Sequence, residues 1–157
     1  MVIYAEKYFE EMQQAIKDID QDTVDKVIGI WKVFQNTNIN FRLGDNRIFI
    51  IGNGGSHAIA EHISTDLNKR CKVKAYTLSN NSLQTALTND YSQEDALVEW
   101  LKMNSFNKTD YLVAISSSGK SKNILNAIDY ANDFDARTLS IFGMDGQPPF
   151  SIGSSQH

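Results

Sequence analysis

Apolar residues recur with a helical period at Tyr4, Tyr8, Met12, Ala15, Ile16 and Ile19, which predicts a helix over 3–19. Asp20 and Asp22 open a second helix with an apolar stripe of Val24, Val27, Ile28, Trp31 and Phe34. A polar stretch from Asn36 ends in the turn Gly44-Asp45-Asn46. The pattern then changes. Ile48-Phe49-Ile50-Ile51 is the continuous apolar run of a strand covered on both faces. Beyond it helix and strand alternate: a helix over 56–69, a strand over 73–78, helical pieces over 82–87 and 92–103, a strand over 111–115, a helix over 121–132 and a strand over 138–142. Ser92-x-x-Asp95 caps the second of the two short pieces. This alternation predicts an α/β sandwich on a parallel sheet, preceded by a helical hairpin. The expected layout is one domain, with the hairpin over 1–40, the sheet core over 47–145 and an irregular tail, GQPPFSIGSSQH, that packs little.

Composition narrows the functional classes. The chain has 157 residues, 41% hydrophobic and 22% charged, enough for one real core. Its net charge is −4 and no run of Lys or Arg forms a stripe, so nucleic acid is not the expected partner. The single cysteine, Cys71, cannot form an internal disulfide and suits a reducing compartment. No stretch reaches membrane-spanning length and the start has no apolar leader. A soluble, cytoplasmic protein is expected, with neither membrane nor nucleic acid as partner. The aromatic side chains Tyr8, Phe9, Trp31 and Phe34 exceed what one small sheet can cover, which predicts a helical interface in a dimer or tetramer.

Two predicted strand ends carry the candidate chemistry: Gly52-Asn53-Gly54-Gly55-Ser56 and Ser116-Ser117-Ser118-Gly119-Lys120-Ser121. In open parallel sheets ligands bind at the carboxyl ends of strands. Both segments open helices, so unpaired backbone N–H groups and the positive dipole end face the loop. Glycines admit close backbone approach and serines add hydroxyl donors, so a phosphate monoester satisfies both. The competing readings are a tight turn for the glycines and ordinary N-capping for the serines. GNGGSH is a poor dinucleotide fingerprint, because His57 holds the third glycine position and the second strand lacks a terminal acid. Read loosely, Ala114 to Ser121 is a Walker A loop of a nucleotide hydrolase. The 36 residues after Ser121 leave little room for such a core, and its magnesium-holding acid would fall to Asp145.

As a set, GNGGS, SSSGKS and the intervening Thr88-Asn89-Asp90-Tyr91 resemble the sugar-isomerase (SIS) domains, in particular the sedoheptulose 7-phosphate isomerase branch. The likeness runs from Tyr4 to Gly146. It implies a flavodoxin-like parallel sandwich that assembles as a tetramer with active sites at subunit contacts. It implies aldose–ketose isomerisation of a sugar phosphate that feeds heptose into surface polysaccharide such as lipopolysaccharide or capsule. It further implies that Ser116, Ser117, Ser118 and Ser121 hold the phosphate. Asn53, Gly54, Gly55 and Ser56 lie along the sugar chain, and Asp90 is the acid of an Asn-Asp pair. Lys120 stands where asparagine is common, either supplementing the phosphate site or solvated.

By the same resemblance His62 is a ligand for zinc, and Asp66 matches a glutamate that serves as metal ligand and acid/base. No organic cofactor is implied. Asp66 is one methylene shorter than that glutamate. His57 and Glu61 form a rival i, i+4 pair on a face about 140° away. The family pattern continues into a C-terminal helix bearing a glutamine and a histidine two turns apart. Gln156-His157 are adjacent and do not match it. The resemblance therefore implies sugar-phosphate binding with weakened turnover, or a non-catalytic module that binds a sugar phosphate or a protein partner.

Overall fold

The two continuous apolar runs build the centre of the molecule. In the computed structural model, which describes residues 4–39, 46–143 and 150–153, Ile48–Gly52 forms β1 and Tyr111–Ser116 forms β3, each buried along its whole length. They pair in parallel with Gly52 opposite Ile115. Ala75–Tyr76 (β2) joins β1 in parallel, and Arg137–Phe142 (β4) joins β3 in parallel. Phe150–Gly153 (β5) adds an antiparallel edge, so the order is β2-β1-β3-β4-β5. The first four strands follow the flavodoxin-like order, whose ligand crevice opens between β1 and β3. β5 corrects the irregular-tail expectation: four residues within 146–157 find a partner in β4. The predicted turn at 44–45, Asp145, Gln156 and His157 lie outside the described residues.

Successive strand side chains point to opposite faces. Phe49, Ile51, Leu112 and Ala114 face one helical layer and belong to a cluster with Leu87, Ala96, Leu97, Trp100, Leu101, Ile124 and Ala127. These come from α4 (Asn81–Asp90), α5 (Ala96–Met103) and α6 (Lys122–Asp133). Ile48, Ile50, Tyr111 and Val113 alternate to the other face and are also fully buried. There Phe34 packs edge-on against Tyr111, ring centroids 5.9 Å apart. Phe34 is thus a core residue, which corrects its expected place in a subunit interface; it is 3% exposed. α3 (Gly55–Asp66) follows β1 with Ala60 and Ser64 buried.

Register between β1 and β3 is clamped at their amino ends. Arg47 donates through Nε and Nη2 to the two oxygens of the buried Asp110, at 2.9 and 2.7 Å, and through Nη1 to the Asn104 carbonyl at 2.7 Å. Removing one partner of such a buried pair costs about 3–5 kcal/mol. The clamp holds the carboxyl ends level, which is where the two candidate loops emerge.

β2 is shorter than the predicted strand over 73–78. A π-helical turn, Leu67–Cys71, extends α3, and Lys72 leaves it with φ 57°, so the chain reaches the sheet only at Ala75. Asn68 compensates at that edge: its Nδ2 donates to the Ala75 carbonyl at 2.6 Å and to the Ser64 carbonyl at 2.8 Å, and its Oδ1 accepts from the Ala75 N–H at 3.4 Å.

The chain divides into two compact units, Met1–Lys32 and Val33–His157. In the first, α1 (Tyr4–Lys17) buries none of its residues, and Tyr4, Tyr8, Phe9, Met12 and Ile16 are exposed. Asp20 starts α2 (Gln21–Ile39) as expected, accepting from the Asp22 N–H at 3.1 Å and the Thr23 hydroxyl at 2.5 Å. The Thr23 bond holds the Asp20 carboxyl below its ordinary value.

Candidate functional site

The glycine loop turns on two separate constraints. A Cβ at Gly52 would stand 2.6 Å from the backbone carbonyl carbon and oxygen of Ser56, so the first turn of α3 can close over β1 only if this residue is glycine. Gly54 has φ 52° and ψ −120°, a conformation that side chains resist. Around Gly55 there is open space, so neither packing nor conformation calls for glycine there. The Asn53 carbonyl accepts from the Ser56 N–H at 3.0 Å and the Gly54 carbonyl from the Ala58 N–H at 3.1 Å, which starts the helix. The Gly54 carbonyl also accepts from the His57 N–H at 3.0 Å.

The serine loop leaves β3 beside it. Ser116 Oγ accepts from the Gly119 N–H at 3.1 Å and Ser118 Oγ from the Lys120 N–H at 3.2 Å, while Gly119 takes φ 63°. Ser121 is the N-cap residue of α6, yet its hydroxyl makes no capping bond. Ordinary N-capping therefore does not account for Ser121, and its Oγ is available to an anion at the helix N-terminus. Lys120 is exposed at the rim.

An amide pair joins the loops. Asn53 Nδ2 donates to Asn123 Oδ1 at 3.0 Å and Asn123 Nδ2 donates to Asn53 Oδ1 at 2.8 Å. The pair borders a cavity of about 50 Å³ whose lining also includes Gly52, His57, Leu78, Gln84, Thr88 and Gln93. It also borders a groove of about 270 Å³ lined by Asn53, Gln93, Glu94, Ser121, Lys122 and Asn123. Lys122 Nζ donates to Glu94 Oε1 at 2.9 Å, a bond that raises the ammonium above its ordinary value. Both groups are exposed, so this pair contributes little to stability.

The expected site residues fall into three groups. Asn53, Gly54, Gly55, Ser56, Ser116, Ser117, Ser118 and Ser121 sit at the carboxyl ends of the adjacent strands β1 and β3, where α3 and α6 begin. Asp90 ends α4, exposed, and accepts from Asn89 Nδ2 at 3.0 Å; its helix neighbours Gln84 and Thr88 reach the cavity instead. His62 and Asp66 stand further along α3: at 1.5 Å per residue, His62 is roughly 10 Å from Gly55. They pair with each other at 3.5 Å, and Arg70 Nε approaches Asp66 at 3.4 Å. The His62 side chain is 80% exposed and lines neither the cavity nor the groove. The rival pair His57–Glu61 also forms, at 3.6 Å, and His57 is the histidine that faces the cavity.

For zinc, His62 Nε2 and Asp66 Oδ2 are apt donors but only two. Among the described residues no group of three or more His, Cys, Asp or Glu side chains comes together. Zinc sites take three or four protein ligands.

Sequence reading passed over Asn123, Gln93, Glu94 and Lys122. A signal existed for Asn123 and Lys122, which occupy the first turn of the helix that opens on the serine loop. Gln93 and Glu94 sit inside the Ser92-x-x-Asp95 cap, where Ser92 Oγ accepts from the Asp95 N–H at 2.9 Å.

A family model described as SIS domain matches residues 7–143. A phosphoheptose isomerase from Helicobacter pylori (strain P12) is 41% identical over 106 residues, covering 64% of this chain and 55% of that protein. One from Aliarcobacter butzleri (strain RM4018) is 37% identical over 110 residues, covering 64% and 56%. The chain spans little more than half the length of these curated relatives. Among solved structures, phosphoheptose isomerase GmhA from Neisseria gonorrhoeae superposes with a TM-score of 0.74 at 26% identity, covering 90% of this chain and 75% of that one.

Proposed function

Because the chain belongs to the SIS-domain family, matched over residues 7–143, we propose that it is a phosphosugar aldose–ketose isomerase of the sedoheptulose 7-phosphate type, supplying heptose for surface polysaccharide. The observation that carries this reading is the meeting of two anion-ready helix N-termini at the β1/β3 crevice, with the Ser121 hydroxyl uncommitted to its own helix. The serine loop, Ser116 to Ser118 with Ser121, anchors the phosphate, and Asn53 to Ser56 with Asp90 follow the sugar chain.

Isomerisation moves a proton from the carbon beside the carbonyl to its neighbour, which calls for a positioned base and a group that stabilises charge on the carbonyl oxygen. Asp66 is the assigned base and His62 its partner. Their distance from the loops of their own copy supports a site shared between copies, one giving the phosphate loop and the other the α3 pair. Zinc held by His62 and Asp66 would take its remaining ligands from outside the described residues of one copy, and would supply Lewis-acid polarisation there. The unburied apolar stripe of α1 supports a dimer or tetramer, and the lone free cysteine supports action in the cytoplasm. Among the described residues no helix is long and apolar enough to cross a membrane.

The test is conversion of sedoheptulose 7-phosphate to its aldose isomer, with and without added zinc. Asp66→Asn should lower turnover by ~10²–10⁴-fold, the usual loss for an acid–base group, and leave binding intact. Binding by the unaltered chain with no turnover under any condition would instead favour a non-catalytic sugar-phosphate module.

A further inference from the structure

We propose that Asn123 is a positioning residue for the sugar chain, holding the Asn53 amide in place at the groove through their reciprocal pair of hydrogen bonds. This rests on the sugar-phosphate reading above and extends it to a residue outside the two loops' own motifs.

A primary amide carries two donors on one end and an acceptor on the other. On a loop with glycines on both sides, an exposed Asn53 would present either end to a ligand. The pair ties Asn53 to the Asn123 amide, so the two can turn only together. Turning Asn53 alone would set nitrogen against nitrogen and oxygen against oxygen, breaking both bonds of 3.0 and 2.8 Å. Asn123 sits on the steadier backbone: it is the second residue of α6, and the next residue, Ile124, is 1% exposed in the core. Each amide still has one N–H and one lone pair outside the pair, free to meet hydroxyls. The adjoining cavity, of about 50 Å³, has room for water rather than a sugar. Substrate hydroxyls therefore meet the amides from the groove side, where Ser121 and Gln93 also open.

The experiment measures, by titration calorimetry on the full chain, affinity for sedoheptulose 7-phosphate and for inorganic phosphate. A merely structural role would move both ligands together. Asn123→Ala should weaken the sugar phosphate about tenfold and change inorganic phosphate by less than about twofold, consistent with losing one ordered hydrogen-bond set. Asn123→Asp keeps an acceptor for Asn53 Nδ2 and adds negative charge beside the anion loop. It should weaken both ligands while preserving their ratio, and it serves as the test should the alanine variant not fold. An unchanged ratio in Asn123→Ala, or a collapsed ratio in Asn123→Asp, overturns the assignment and leaves the sugar-phosphate reading standing. An unaltered chain that shows no preference for the sugar phosphate over phosphate overturns both.

Discussion

At the scale of single residues, neighbouring glycines answer to different demands. Gly52→Ala drives a methyl into backbone 2.6 Å away, and should cost about 1–3 kcal/mol as overpacking does. Gly55→Ala meets open space, and as a better helix former should leave stability unchanged or raise it by up to about 1 kcal/mol. Thermal melts of the two variants check this contrast; equal losses would refute it. Tyr111 offers a second test. Burial pushes its hydroxyl up to about 12 from 10.0, against the pull of Arg137, and the oxygen finds no hydrogen-bond partner among the described residues. Above the ordinary value the unfolded chain sheds a proton that the folded chain keeps. The stability contributed by the neutral phenol is whole below pH 10, then falls by about 1.4 kcal/mol per pH unit until the folded group also ionises. Tyr111→Phe should remove that share of the alkaline slope in urea denaturation, with little loss near neutrality.

Elements were legible to the degree that local pattern decided them. β1 and β3 are unbroken apolar runs, and each appears where the pattern puts it. β2 shrank to two residues because the π-helical turn and the left-handed Lys72 use up the chain before the sheet, a backbone event that side-chain hydropathy does not encode. The phase of α3 was equally hidden. Its buried positions are Ala60 and Ser64, too small and too polar to mark an inner face. Which of the pairs His57–Glu61 and His62–Asp66 meets the crevice could not be settled from spacing. The serine loop is the element whose chemistry was most readable, because composition alone sets its donors. Replacing Ser118 and Ser121 together by alanine should weaken phosphosugar binding by about 1–3 kcal/mol, the range for hydrogen bonds to charged groups. Calorimetry that finds unchanged affinity would remove the phosphate assignment.

For the molecule as a whole, the sheet order and the crevice between β1 and β3 follow from strands that announce themselves, whereas the Asn53–Asn123 bridge joins positions 70 apart and leaves no local trace. Assembly is the main expectation at this scale. With α1 burying nothing of its own, light scattering at micromolar concentration should report a dimer or tetramer, and a monomer would contradict it. A shared site adds a sharper test. Mixing Asp66→Asn chains with Ser118→Ala, Ser121→Ala chains should recover part of the turnover that each lacks alone. No recovery on mixing would place both halves in one copy. The Asn68 amide, finally, bears on how the protein behaves when crowded. An open sheet edge is a template on which other chains can add strands and grow aggregates. By occupying both the N–H and the carbonyl of Ala75 with one side chain, Asn68 leaves β2 little to offer an incoming strand, so the shortest strand of the sheet is also a guarded one.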